Sequence, residues 1–225
     1  MNHARMNLQH GDTFLLIGDS ITDCGRARPV GAGGGLGDGY ASLVEALLGA
    51  AYPERRIRLL NTGISGNRVT DLAARWQADA IDLKPDWLSV FIGINDVWRQ
   101  FDSPADPNPV DLVRYETVYR EILGKIRPAL KGLVLMAPFY LESNRQDPMR
   151  AKMDAYGAVV RKLAGEFKAV FVDVPAAFDA HLAHRPTQTL CGDRVHPNRT
   201  GHLIIASALL SALGFEWPRL GAAKH

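Results

Sequence analysis

Apolar residues recur along the chain in two rhythms. Short apolar runs stand at 14–17, 133–136 and 169–172, 87–92 is apolar but for Ser89, and 56–61 carries Ile57, Leu59 and Leu60. Runs of this length bounded by turn residues read as strands covered on both faces, the kind found in parallel sheets. Between them, apolar residues return every three or four positions. Tyr40, Leu43, Val44, Leu47 and Leu48 set this pattern in a helix expected from Asp38, its N-cap, to about residue 51. Further helices are expected over 70–83, 109–130, 148–167, 175–184 and 200–213. Residues 21–37, rich in Gly, and 102–109, with three Pro and three Asp or Asn, read as loops.

Strands and helices thus alternate five times with no repeat and no long linker. The expectation is a single α/β domain over 1–225, doubly wound around a parallel sheet. Right-handed crossovers place every strand's C-terminal end on one rim, where ligands bind in such sheets. Ser20, Gly66, Asn95 and the loop at Asp193 all follow strands and would face one crevice.

Composition narrows the reading. A net charge of +2 with scattered basic residues argues against nucleic acid. No apolar run approaches the length of a membrane span, and residues 1–12 are polar, without the apolar core of a signal peptide. The expectation is a cytoplasmic protein that contacts neither nucleic acid nor membrane. Cys24 and Cys191 match no metal or C-x-x-C spacing and are expected as free thiols. Gly31, Gly33, Gly34 and Gly35 suggest a phosphate cradle, but no G-K-[ST] follows. A flexible loop or a lid is the better reading.

The rim residues suit acyl transfer. Ser20 is a candidate nucleophile, which needs a base. His196 can be that base, and Asp193, three residues earlier, can fix its tautomer. The N–H groups of Ser20 and Gly66 and the Asn95 side chain can donate to an oxyanion. Each residue also has a plainer role. Asp19 or Ser20 can cap a helix, Gly66 can serve a turn, Asn95-Asp96 can form an Asx-turn, and His196 can cap the last helix. Asp193 and His196 are also metal-ligand types, but no third ligand stands at matching spacing. Ser65, in Gly63-Ile64-Ser65-Gly66, lacks the G-x-S-x-G elbow spacing and is not the expected nucleophile. The other histidines, at 3, 10, 181, 184, 202 and 225, read as terminal or surface-helix positions.

Four blocks, Gly18-Asp19-Ser20, Gly66, Gly93-Ile94-Asn95-Asp96 and Asp193-x-x-His196, resemble in type and order those of the SGNH (GDSL-type) hydrolases. The resemblance implies a flavodoxin-like three-layer α/β/α sandwich with a five-stranded parallel sheet. It also implies a Ser20–Asp193–His196 triad and an oxyanion hole of Ser20, Gly66 and Asn95, with no metal and no cofactor. Longer stretches are similar to bacterial intracellular acetylxylan esterases: 18–26, 93–99, Pro138-Phe139-Tyr140, Asp147-Pro148-Met149-Arg150 and 193–197. They imply an acetylated oligosaccharide as substrate and a homo-oligomer, to which exposed tryptophans could contribute. Asp19, Trp98, Arg99 and Tyr140 are the expected substrate-binding residues. A general short-chain acylhydrolase and a non-catalytic carbohydrate-binding module are the competing readings.

Overall fold

The computed structural model describes residues 6–103 and 105–217; His3 and His225 lie outside them. Strand β1 (Thr13–Gly18) runs into a one-turn helix, α1 (Ser20–Asp23). A two-residue strand, β2 (Gly31–Ala32), precedes helix α2 (Tyr40–Ala51). Strand β3 (Arg58–Asn61) leads to α3 (Val69–Trp76), and β4 (Trp87–Phe91) to α4 (Ile94–Asp102). Next come α5 (Leu112–Ile126), β5 (Gly132–Met136) and α6 (Pro148–Glu166). Strand β6 (Val170–Val172), α7 (Val174–Leu182) and α8 (Arg199–Ala212) follow.

The sheet order is β2-β3-β1-β4-β5-β6. All pairs are parallel except β2–β3. Without β2 the order is the doubly wound 2-1-3-4-5, with its switch point beside β1. Strands β4 and β5 are buried along their whole length, as strands covered on both faces must be.

The five expected strands are thus joined by a sixth, antiparallel one at the edge. It forms within the Gly-rich segment, expected as a loop. Gly31 pairs with Asn61, and Ala32 with Leu60. The buried guanidinium of Arg26 fixes the segment's base, donating to the carbonyls of Gly63 at 2.8 Å and Ala27 at 3.0 Å.

Several helices differ from the expected spans. Asp38 does not cap α2; Gly39 stands at the cap without a side-chain bond. Asp111 starts α5 by accepting from Arg114 N–H, so Pro109 lies outside the helix. After Trp76, α3 widens into a π-turn, Gln77–Ile81. Helices α1 and α4 occupy segments expected as loop and turn. Each starts within three residues of the end of a strand, and both are short. Trp76 and Trp87 belong to the core, and among the described residues only Trp217, 62% exposed, is a solvent-facing tryptophan.

The turn out of β1 is as tight as the packing permits. A Cβ on Gly18 would lie 2.3 Å from the Phe91 carbonyl oxygen of the neighbouring strand and 2.5 Å from Thr22 Oγ1. Backbone atoms held in a ladder cannot yield to it. Gly18→Ala should therefore lower stability by roughly 1–3 kcal/mol, the usual cost of overpacking. A urea midpoint equal to that of the parent chain would refute this account of the turn.

Candidate active site

The rim at the switch point gathers residues from β1, β3, β4 and the loop before α8. Ser20 opens α1, and its Oγ lies 3.0 Å from His196 Nε2. The other ring nitrogen, Nδ1, lies 2.6 Å from Asp193 Oδ2. A carboxylate can only accept, so Nδ1 carries the proton and Nε2 is left as the acceptor for the serine hydroxyl.

Asp193 is held by more donors than the sequence suggests. Its Oδ1 accepts from the amides of Val195 at 2.9 Å and His196 at 2.8 Å, and from the Cys191 thiol at 2.9 Å. Desolvation pushes its pKa up. The thiol, the two amides and the imidazole together more than offset this and hold the carboxyl well below the usual range. Burial and this same carboxylate push the Cys191 thiol up to about 11, so it stays a proton donor. No sequence signal marks Cys191 for this role.

The other candidate oxyanion donors, Gly66 and Asn95, come from two other strand ends. Gly66 sits at φ +81°, a left-handed conformation that its turn requires and a side chain would strain. The N–H groups of Ser20 and Gly66 make no hydrogen bond among the described residues. Asn95, 2% exposed, donates one amide hydrogen to the Asn67 carbonyl at 3.1 Å. Its second amide hydrogen is left to give.

Ser65 Oγ is taken up by Asp23 rather than by His196. Asp23 Oδ2 accepts from Ser65 N–H and Ser65 Oγ–H, both at 3.0 Å, and from Arg28 at 2.7 Å. This clamp fixes the residue just before Gly66. Cys24 and Cys191 are both free thiols.

The expected substrate contacts divide. Asp19 lies beneath the nucleophile, 2% exposed, where its carboxylate caps α1 by accepting from Ile21 N–H at 3.0 Å. It does not reach the mouth. Desolvation pushes its pKa up to about 7, against the opposing pull of that amide and of His196. Trp98 does reach the site: its ring centre is 5.9 Å from that of His196, at 60°. The Arg99 guanidinium lies 4.9 Å over the Trp98 ring and pairs with Asp102. Arg99 also lines a groove of about 640 Å³ that starts at Gly66 and continues along Arg68, Asp71, Asp102 and Asp106. Tyr140 anchors a loop: the Arg194 guanidinium stands 5.9 Å from its ring centre, and Leu141 N–H donates to Arg194 O at 2.9 Å.

His202 is a core residue, 7% exposed, rather than a surface one. It shares the buried face of α8 with Ile205, Ala206 and Leu209, a helical spacing that was visible in the sequence. Its Nδ1 accepts the Tyr40 N–H at 3.2 Å, closing the end of α2 that Asp38 leaves uncapped. Its Nε2 lies 3.4 Å from Cys24 Sγ. Among the described residues no three His, Cys, Asp or Glu side chains are placed to share a metal ion, and no helix is long and apolar enough to cross a membrane.

Comparison with known proteins agrees with this geometry. Residues 16–204 match the sequence model of the GDSL-like Lipase/Acylhydrolase family. The chain is 52% identical over 217 residues to an acetylxylan esterase of Geobacillus stearothermophilus, covering 95% of this chain and 99% of that one. The crystal structure of that enzyme, Axe2, superposes with a TM-score of 0.94 over 96% of this chain and all of the other. Its solved variants include catalytic mutants at a serine, an aspartate and a histidine. LAE5, an α/β hydrolase from the metagenome of Lake Arreo, is 47% identical with a TM-score of 0.91, covering 93% of this chain and 98% of that one. The Escherichia coli (strain K12) thioesterase 1/protease 1/lysophospholipase L1 is 27% identical over 90% of this chain and 83% of its own.

Burial of His202 gives a testable dependence on pH. Desolvation, reinforced by the charge of His196, lowers its pKa from 6.5 to about 4. An unfolded chain takes up this proton near 6.5, while the folded one resists until about 4. The stability tied to keeping His202 neutral is therefore complete above pH 6.5 and is lost as the pH falls toward 4. A shift of this size corresponds to roughly 3 kcal/mol. Denaturant unfolding of the parent and of His202→Gln across pH 4–7 should show their difference shrinking by an amount of that order on the acid side. A constant difference would disprove the linkage.

Proposed function

We propose, for a chain that belongs to the GDSL-like lipase/acylhydrolase family and is a carboxylic-ester hydrolase, that it removes acetyl groups from xylo-oligosaccharides through a covalent acyl-enzyme on Ser20. The observation that carries this reading is the unbroken run from Asp193 Oδ2 through His196 to Ser20 Oγ, at 2.6 and 3.0 Å.

Ser20 Oγ attacks the ester carbonyl carbon as His196 Nε2 takes the hydroxyl proton. The imidazolium so formed is stabilised by Asp193, which stays ionised. Negative charge moves onto the former carbonyl oxygen, which Ser20 N–H, Gly66 N–H and the Asn95 amide receive. The intermediate collapses, the bond to the sugar oxygen breaks, and His196 returns its proton to that oxygen. Water, deprotonated by His196, then attacks the acetyl carbonyl. Acetate leaves, and Ser20 recovers its proton.

The choice of acetyl and of a carbohydrate draws on the acetylxylan esterase relative. It also suits the groove beyond Gly66, whose walls are carboxylates and guanidiniums joined in pairs. A long acyl chain laid there would strip water from those ions, whereas sugar hydroxyls would exchange hydrogen bonds with them. Trp98, beside His196, offers an apolar face for a sugar ring. We place the enzyme in the cytoplasm, acting on short imported oligosaccharides. We expect a homo-oligomer, with exposed Val113, Leu203 and Trp217 available for subunit contacts.

The deciding assay is acetate release from acetylated xylo-oligosaccharides, with an aryl butyrate alongside. Fast release with poor turnover of butyrate is expected. The reverse order would make the enzyme a general short-chain acylhydrolase. Ser20→Ala should lower kcat by roughly 10⁵-fold or more, as for other triad nucleophiles. Asn95→Ala should lower it by about 10²-fold, the usual loss of one oxyanion donor. A change in KM alone would make Asn95 a binding residue instead.

A further inference from the structure

We propose that Arg75 is a positioning residue for the oxyanion hole. It lies on α3, outside all four motif blocks, and makes no contact with Ser20, His196 or Asp193. Its guanidinium nevertheless bridges two of the three segments that carry the oxyanion donors and reaches the third through Asn67. Nη2 donates to the carbonyl of Gly18 at 3.1 Å, two residues before Ser20. Nη1 donates to the carbonyl of Thr62 at 2.6 Å, at the root of the turn that presents Gly66. Nε donates to Asn67 Oδ1 at 2.7 Å, just after Gly66. Asn67 in turn accepts the Asn95 amide on its own carbonyl at 3.1 Å. One planar group thus spaces the strand end before Ser20, the turn at Gly66 and the support of Asn95.

The local fold is shaped to hold this guanidinium. Directly after α3 the chain makes a π-turn, Gln77–Ile81, closed by a bond from Asp82 N–H to the Gln77 carbonyl at 2.9 Å. Turns of this kind are rare and often stand at functional sites. Here the widened turn sets both polar ends of Asp79 to use. The carboxylate pairs with Arg75 Nη1 at 2.7 Å, and the carbonyl accepts from Thr62 Oγ1 at 3.0 Å. Asp79 balances the charge of Arg75, so the contribution of Arg75 is spacing rather than field. The side chain is only 14% exposed, and its four bonds use four of its five N–H groups. A lysine ammonium has three donors on one atom and cannot span acceptors on three segments.

Donors that stabilise an oxyanion act only when they stand at the position the charge will occupy. Displacement by about 1 Å can cost about 10²-fold. Loss of the fork should therefore slow the chemical step and leave ground-state binding nearly intact.

The proposal rests on the reading of Asn95 and Gly66 as oxyanion donors, and its test separates the two. With 4-nitrophenyl acetate, Arg75→Lys and Arg75→Gln should each lower kcat by about 10- to 100-fold, with KM within about threefold of the parent. Placed in an Asn95→Ala background, the same substitutions should cost several-fold less than in the parent, because one of the donors they align is gone. Equal losses in the two backgrounds, a parental kcat, or a loss confined to KM would overturn the proposal. Asn95→Ala at the parental rate would overturn the oxyanion reading and the proposal with it. Should the Arg75 variants fail to fold, Asn67→Ala removes one acceptor of the fork and leaves the rest of α3 alone. It should show the same loss of kcat and the same lack of additivity, and multiplying losses there would be decisive against the proposal.

Discussion

Ser20, Gly66 and Asn95 can meet only because β1 is hydrogen-bonded between β3 and β4, both parallel to it. Parallel pairing brings three C-terminal strand ends to one rim, and the change of direction at β1 opens a crevice there. Each end then turns sharply. Gly18 admits the Phe91 carbonyl where no side chain would fit, and Gly66 takes a left-handed conformation. The loop carrying Asp193 and His196 closes the crevice from the far side of the sequence. No segment holds the chemistry alone, so the site depends on ladder register as much as on its own residues.

Within that crevice, hydrogen-bond supply decides which groups are charged. Asp193, Asp19 and Asp96 are the same residue type within one site. Asp193 receives two amides, a thiol and an imidazole, and its carboxyl lies well below the usual range. Desolvation raises Asp19 to about 7, and the carboxyl accepts the Ile21 amide. Asp96 is raised to about 7 by burial and by Asp19, with Oδ1 on Val69 N–H and Oδ2 without a partner. Of the three, the carboxylate that touches His196 is thus the one held firmly ionised. Asp19 and Asp96 are pushed toward their neutral forms.

The groove beyond Gly66 shows the same economy. Arg68 pairs with Asp106 at 2.7 Å, and Arg99 with Asp102. Asp71 also approaches Arg68, at 3.8 Å, so two guanidiniums face three carboxylates and the groove has no spare positive charge to select an anionic ligand. That character suits a neutral, hydroxyl-rich substrate. A smaller cleft of about 230 Å³ between α6 and α7 is lined by Arg145, Arg150, Asp154 and Asp179. It lies away from the triad, and those side chains are engaged with one another.

The sequence by itself determined the alternation of strands and helices and the five parallel strands, and it marked Ser20, Gly66, Asn95, Asp193 and His196 as the candidates that the fold brings to one rim. These are written locally, in apolar runs, turn residues and short motifs whose physical cause lies within a few positions. His202, expected at the surface, is buried, although its spacing with Ile205 and Leu209 is that of a buried helix face. The tertiary structure alone decided what depends on distant partners. It turned the Gly-rich segment into an edge strand by offering it the open side of β3. It placed the Cys191 thiol on Asp193 and Asp23 on Ser65. It buried Asp19 under the residue it was expected to accompany at the mouth. It also aimed Arg75 at carbonyls 13 and 57 residues away along the chain. Hydrogen bonds to backbone carbonyls leave no mark in a sequence, because every residue carries that acceptor and only the fold selects which one is near.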